Sequence, residues 1–196
     1  AFHAHHALER GLRVTLLERH AAPRGATVRN FGQVVPSGLD RRWQRWGRDS
    51  LDIYRSIQQQ WDISVREEGS LYLASDDEEA TLLEELHAIN IESDYPSRLL
   101  TLAQCREHAP SVRADYCRGG LYFPQEVSVD PQVMIHRLHQ FLARSPNFRA
   151  CFQTSVREVT ATGASGVRVT TTRGTDWTAN RVLICCGAEF STLYPD

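Results

Sequence analysis

The apolar positions of this chain change their period several times, and each change marks a new element. Ala1 to Arg10 favours helix, Gly11 is its expected stop, and the run VTLL from Val14 to Leu17 follows. A short run without alternation fits a parallel strand covered on both faces, with Glu18 and Arg19 marking its carboxyl end. From Leu39 to Trp61, the residues Trp43, Trp46, Ile53, Tyr54, Ile57 and Trp61 recur at helical spacing behind Pro36 and Ser37, which predicts a long amphipathic helix. SLYLAS then alternates as a strand does. Ser75 and Glu78 have the spacing of a capping box for a helix presenting Leu82, Leu83, Leu86 and Ile89 on one face. Thr101 and Gln104 repeat that spacing before a shorter helix ending ahead of Pro110.

GGLYFP predicts another strand, and in VSVDPQVMIHRLHQFL the Asp130 side chain is placed to cap a helix whose first position is Pro131. The texture then changes. NFRACFQ, SVREVTA, GVRVTTT and DWTA are short β-rich pieces, with TRGT as a hairpin turn, ahead of RVLICCG, which reads as a buried strand. This is a β-meander returning to a parallel sheet, with no internal repeat and no low-complexity segment. The two ends of the chain share one sheet in this reading, and the middle is an inserted domain. The expected class is α/β (α+β overall), divided into 1–38, 39–123 and 124–196.

Composition narrows the function classes. With 41% hydrophobic and 23% charged residues and a formal charge of -2, the 196-residue chain has no basic field for nucleic acid or an anionic membrane. No run approaches a membrane span, and the five cysteines form no CxxC pair, which points to a reducing, cytoplasmic setting. His3, His5 and His6 cluster near the start, and His136 and His139 lie one helical turn apart, but no neighbouring carboxylate or cysteine completes a metal site. No GxSxG elbow is present.

Glu18 is the first residue with a chemical reading. An acid at the end of the second strand of a dinucleotide fold accepts hydrogen bonds from ribose hydroxyls, about 20 residues after a glycine fingerprint. That fingerprint would fall upstream of Ala1, and AFHAHHALERGL reads as the second half of a helix, so the sequence is expected to be truncated.

The segment PRGATVRNFGQ extends this reading, because it resembles the FAD-dependent amine oxidoreductases that include D-amino-acid oxidase, glycine oxidase and sarcosine oxidase. In that family the strand-end acid is followed by a segment like GAS-x-x-N-x-G, matched in order by Gly25, Ala26, Thr27, Asn30 and Gly32. TSVREVTATGASGVRVTTTRGTDWTANRVLICCGAEFS is similar to the family's β-meander, and GSLYLAS with GGLYFPQEVSVDPQVMIHRL is similar to its substrate domain and the return to the cofactor domain.

The resemblance implies a Rossmann-like FAD-binding domain (1–38 and 124–196) with an inserted mixed α+β substrate domain (39–123). It implies Glu18, beside Arg19, at the ribose, Gly25, Ala26 and Thr27 at the phosphates, and Asn30, Phe31, Gly32 and Gln33 along the flavin ring. Val156 would meet the adenine through its backbone, and Cys186 and Gly187 would lie beside the cofactor. Cys185 and Cys186 stand where the family commonly has alanine, and are expected to be small core residues. The implied reaction passes a hydride from the α-carbon of a small amine to FAD, giving an imine that hydrolyses, with oxygen or another acceptor reoxidising the flavin. No acid-base catalytic residue is assigned; substrate-gripping residues and a further glycine segment would lie beyond Asp196.

RGATVRNFGQVVPSG is similar to a subgroup linked with breakdown of aminophosphonates, for which Arg29, Arg41, Arg42, Arg45 and Arg48 are candidate phosphonate partners. A run of arginines on a helix is also what a solvated face looks like. Two other readings stay open: an NAD-dependent dehydrogenase, which the meander argues against, and a catalytically inactive fragment or degenerate copy without cofactor.

Overall fold

The computed structural model describes residues 1–163 and 166–193, so Ala164 and Ser165 of the meander lie outside the described residues. Along the chain run α1 (Phe2–Glu9), β1 (Val14–Leu17), β2 (Gln33–Val34), α2 (Arg41–Gln60), β3 (Ser70–Ala74), α3 (Asp77–Glu92) and β4 (Arg98–Leu100). They are followed by α4 (Leu102–His108), β5 (Gly119–Phe123), β6 (Val127–Ser128), α5 (Pro131–Leu142), β7 (Phe148–Cys151), β8 (Val156–Thr162), β9 (Gly166–Thr171), β10 (Asp176–Ala179) and α6 (Phe190–Leu193). Parallel and antiparallel sheets coexist, in keeping with the expected α/β (α+β overall) class. The chain divides into two compact units, Ala1–Asn30 with Ile135–Asp196, and Phe31–Met134.

In the first unit, α1 ends before Gly11, whose φ of +72° is open to glycine at little cost. β1 and β7 pair in parallel from Val14 opposite Phe148 to Leu17 opposite Cys151, joining the two ends of the chain in one sheet. β8, β9 and β10 form the antiparallel meander, with an irregularity between Val156 and Glu158. Gly174, at φ +75°, closes the β9–β10 turn, where its N–H donates to the Thr171 carbonyl at 3.1 Å.

Two expectations fail here. Thr15 of β1 is exposed, so the strand is not covered on both faces. The run Arg181–Cys186 forms no strand: Leu183 is 66% exposed, and Cys185 lies on the surface rather than in the core. A strand needs a neighbour offering N–H and C=O groups, and among the described residues β1 and β7 pair only with each other.

In the second unit, β3, β5 and β4 form an antiparallel sheet with β5 in the centre, and β2 pairs with β6. Tyr95, Leu121 and Phe123 are its core, packed by Tyr72, Leu83 and Leu86. Burying each such side chain contributes about 1.5–3 kcal/mol. Caps set the helix starts. Asp40 accepts from the Arg42 and Trp43 amides, Asp130 from those of Gln132 and Val133, and Thr101 with Gln104 forms the predicted capping box.

The cap of α3 sits one residue later than the Ser75–Glu78 spacing predicts. Asp76 accepts from the Glu79 amide at 2.8 Å, and the Glu79 carboxylate reaches back to the Ser75 N–H and hydroxyl. A charged acceptor outcompetes the serine hydroxyl for the orphan amides.

The buried faces of α2 and α3 are also rotated from the apolar pattern. On α2, Gln44, Leu51 and Ile57 are buried, while Trp43 and Trp46 are exposed, stacked edge-on at 4.9 Å. Gly47 decides the face, because a Cβ there would meet Pro36 Cβ at 2.8 Å in the 3-10 turn Pro36–Gly38. On α3, Leu82 and Ile89 are exposed and Asn90 is fully buried, accepting from Gln44 Nε2 at 2.6 Å and donating to the Leu86 carbonyl at 2.8 Å. Among the described residues no helix is long and apolar enough to cross a membrane.

Candidate functional site

Several of the predicted site residues converge at the carboxyl end of β1. The Glu18 amide donates to the Cys151 carbonyl at 2.9 Å, which continues the β1–β7 ladder by one residue. The Glu18 carbonyl accepts from the Thr154 amide at 2.9 Å, and the Gln153 amide donates to the His20 carbonyl at 3.0 Å. These bonds bring the approach to β8, and so Val156, against the strand end. Glu18 Oε1 accepts from the His20 amide at 2.9 Å, which fixes the half-buried carboxylate; its other oxygen takes no donor among the described residues.

Arg19 joins the second chain segment to this point through an ion pair with Glu189. Glu189 ends the 3-10 turn Gly187–Glu189, whose N-cap is Cys186 and whose Gly187 has φ +60°. Glu18, Arg19, Val156, Cys186 and Gly187 are therefore held in one region of the first unit, although they are drawn from opposite ends of the chain.

Gly25–Thr27 forms a 3-10 turn after β1, exposed throughout, with Gly25 at φ +68° and open space where a Cβ would stand. Asn30 Nδ2 closes that turn by donating to the carbonyls of Ala26 at 2.9 Å and Thr27 at 3.0 Å. The asparagine is thus a loop staple that consumes two carbonyls of the exposed turn.

Phe31, Gly32 and Gln33 belong to the second unit. Phe31 is 92% exposed, Gln33 is exposed on β2, and Gly32 is buried at φ +67°. A cavity of about 350 Å³ in that unit is lined by Gln33, Val35, Ser70, Tyr72 and Ser128, among others.

The residue that sequence reasoning missed is Glu126, which is fully buried. Its Oε1 accepts from the Ser37 amide at 2.8 Å and the Tyr95 hydroxyl at 3.1 Å, and its Oε2 from the Ser70 hydroxyl. Ser37 Oγ in turn shares a proton with the Tyr72 hydroxyl at 3.0 Å. Burial, and then the Glu126 charge, push the Tyr95 phenol well above its ordinary range; burial raises Tyr72 as well. In FPQEVSV nothing marks this carboxylate as interior, since an isolated Glu between apolar residues is the pattern of an outward-facing strand position.

The arginines considered for an anion are mostly engaged elsewhere. Arg41 pairs with Glu92 at 2.8 Å, Arg42 lies 5.1 Å over the Trp46 ring, and Arg48 donates to the Ser93 and Asp94 carbonyls while covering the Tyr95 ring at 4.8 Å. Arg29 and Arg45 are exposed. Cys105 and Cys117 are the buried thiols, and burial followed by the Cys117 neighbour pushes the Cys105 thiol up to about 11. Among the described residues no three His, Cys, Asp or Glu side chains gather in the manner of a metal site.

Residues 1–195 match the family described as FAD dependent oxidoreductase, DAO. Among curated proteins, none matches the chain in sequence. Among solved structures, a glycine oxidase from Geobacillus kaustophilus is similar with a TM-score of 0.84 and 22% identity, over 97% of this chain and 53% of that one. An L-proline dehydrogenase from P. horikoshii has a TM-score of 0.78 and 20% identity, over 87% of this chain and 46% of that one. A glycine oxidase from Bacillus cereus ATCC 14579 has a TM-score of 0.78 and 20% identity, over 91% and 49% respectively. At such identities the likeness is one of fold, and the chain spans about half the length of these proteins.

Proposed function

Because the chain belongs to the DAO family of FAD dependent oxidoreductases, we propose that it oxidises the carbon–nitrogen bond of a small primary or N-methylated amine, an amino acid or an aminophosphonate. The observation that carries the reading is the Glu18 carboxylate. It is fixed at the end of β1 by the His20 amide, is tied through Thr154 to the meander, and keeps one oxygen uncommitted. That is the acceptor the hydroxyls of a ribose diol need. The residues present fit FAD: Gly25–Thr27 is an exposed turn with open space beside Gly25, and Gly187 leaves open space next to Cys186.

In this reading Glu18 and its neighbour Arg19 hold the ribose end, Gly25, Ala26 and Thr27 hold the phosphates, and the Val156 backbone meets the adenine beside Cys186 and Gly187. Asn30, Phe31 and Gln33 are the residues for the flavin ring's edge, with buried Gly32 as the backbone joint between them rather than a contact surface. Residues 1–38 and 124–196 serve the cofactor and 39–123 the substrate. The flavin, when bound, supplies the two-electron acceptor, with oxygen or another acceptor completing turnover. The chain's own residues position the neutral amine and exclude water. The aminophosphonate arm rests on the similarity of RGATVRNFGQVVPSG, with Arg29 and Arg45 as its exposed cations.

The test is to purify the protein with and without added flanking sequence, record its visible absorption, and identify any released cofactor. A bound FAD is expected. A colourless protein in both forms would sink the reading in favour of an inactive copy, and a released nicotinamide nucleotide would replace it with an NAD-dependent dehydrogenase. Screening glycine, sarcosine and aminophosphonates for imine-derived aldehyde then separates the substrate classes.

A further inference from the structure

Along residues 101–118 of the second unit only two residues are buried, and both are cysteines. Cys105 on α4 is 0% exposed and Cys117, ahead of β5, is 3% exposed, while the residues around them are exposed or half-buried. Both thiols are set against the same pair of glycines at the start of β5. Cys105 Sγ lies 2.8 Å from where a Cβ on Gly120 would stand, so the missing side chain there makes room for the sulfur. Cys117 Sγ donates to the Gly119 carbonyl at 3.3 Å.

The two sulfurs also meet each other. The Cys117 side chain is hydrogen-bonded to that of Cys105, and both thiols are free. Side chains already in such contact need only a short approach to reach the bonded geometry of a disulfide, which Cys residues held apart by the fold cannot reach. The stretch between them is held by short-range backbone bonds: the Val112 amide donates to the Ala109 carbonyl at 3.0 Å and the Tyr116 amide to the Arg113 carbonyl at 3.2 Å. A segment of this kind opens locally at little cost, which admits a small solute to thiols that are covered on average.

We propose that Cys105 and Cys117 are a dithiol that hydrogen peroxide converts to a disulfide, closing the loop between α4 and β5 and stapling it to the sheet. Cys117 Sγ gives up its proton and attacks one peroxide oxygen; the O–O bond breaks, water leaves, and a sulfenic acid remains. Cys105 Sγ then attacks the sulfenic sulfur, and the oxygen leaves as a second water with the Cys105 proton. Two thiols are oxidised by two electrons in all, and one peroxide is reduced to two waters. Burial raises the Cys105 thiol to about 11, so it keeps its proton until the second step and Cys117 reacts first. The inference goes beyond the oxidoreductase reading and does not rest on it.

The test exposes the fully reduced protein to hydrogen peroxide, blocks remaining thiols with N-ethylmaleimide, and digests it with trypsin without reductant. Cleavage after Arg98, Arg106, Arg113 and Arg118 places Cys105 in the peptide 99–106 and Cys117 in the peptide 114–118. These two are expected as one disulfide-linked species that separates on reduction. The linked protein should unfold at a midpoint roughly 5–10 °C higher, as closing a loop of this length produces. Cys117→Ala should lose both the linked species and the rise. Exposed Cys185 is the internal control for exposure to the oxidant. Peptides 99–106 and 114–118 recovered unlinked once Cys185 is oxidised overturn the proposal, as do links from either one to Cys151, Cys185 or Cys186. A linked protein with no rise in midpoint overturns the staple equally. Should Cys117→Ala not fold, the peptide map and midpoint of the wild-type protein decide.

Discussion

Gly32 in one unit and Gly25 and Gly187 in the other share a positive φ but stand in opposite surroundings. A Cβ on Gly32 would meet the Val129 carbonyl oxygen at 1.9 Å, and the Gly32 carbonyl accepts from the Val129 amide at 2.8 Å; a Cβ on Gly25 or Gly187 would meet nothing within 4 Å. Gly32 is a close-packed joint between β2 and the chain leading into α5. Gly25 and Gly187 are open backbone, shaped but not covered. The same residue type at the same dihedral is thus a folding requirement in one place and an offered surface in the other, and only the neighbours distinguish them.

Substitution should separate these roles. Gly32→Ala combines a left-handed penalty of about 1–2 kcal/mol with a clash against backbone that cannot give way, so a loss of about 3–5 kcal/mol is expected in denaturant unfolding. A loss below about 1 kcal/mol would mean that the joint relaxes. Leu121→Ala, in the centre of β5, should cost about 2–5 kcal/mol, whereas Leu183→Ala, in the run that forms no strand, should stay within about 0.5 kcal/mol. Gly25→Ala is expected to cost only about 1–2 kcal/mol of stability. It should nevertheless weaken FAD retention on a sizing column, a combination Gly32→Ala cannot show.

The smallest effect concerns His139, which is half-buried near Phe152. Burial, with His136 beside it, holds its pKa below the ordinary 6.5, against a raising influence from Glu18. The unfolded chain therefore binds the proton more readily, and stability falls as pH drops through about 6.5. His139→Gln should flatten the fall in unfolding midpoint across that window; an unchanged slope would assign it to other groups.

Elements with strong local signals are legible in the order of residues alone. The Asp130–Pro131 start of α5, the Thr101–Gln104 box and the turn at Gly174 depend on residues within a few positions of one another. Glu18 is legible as a strand-end acid, and the glycine-containing segment after it as a polar, exposed turn. What fails depends on partners far along the chain. The buried face of α2 is chosen by Pro36 against Gly47, not by its tryptophans, and RVLICCG is apolar enough for a strand but finds no ladder.

Sequence by itself determined most helix starts, which strands alternate, and that an acid stands at the end of β1, because these follow from backbone hydrogen bonding and side-chain type over a few residues. Only the tertiary structure decided that Glu126 is interior, that Gly32 is closed and Gly25 open, and that Arg19 pairs with Glu189. Burial and charge pairing are properties of what lies across the fold, and a carboxylate in FPQEV has the same chemical identity whether water or three protein donors surround it.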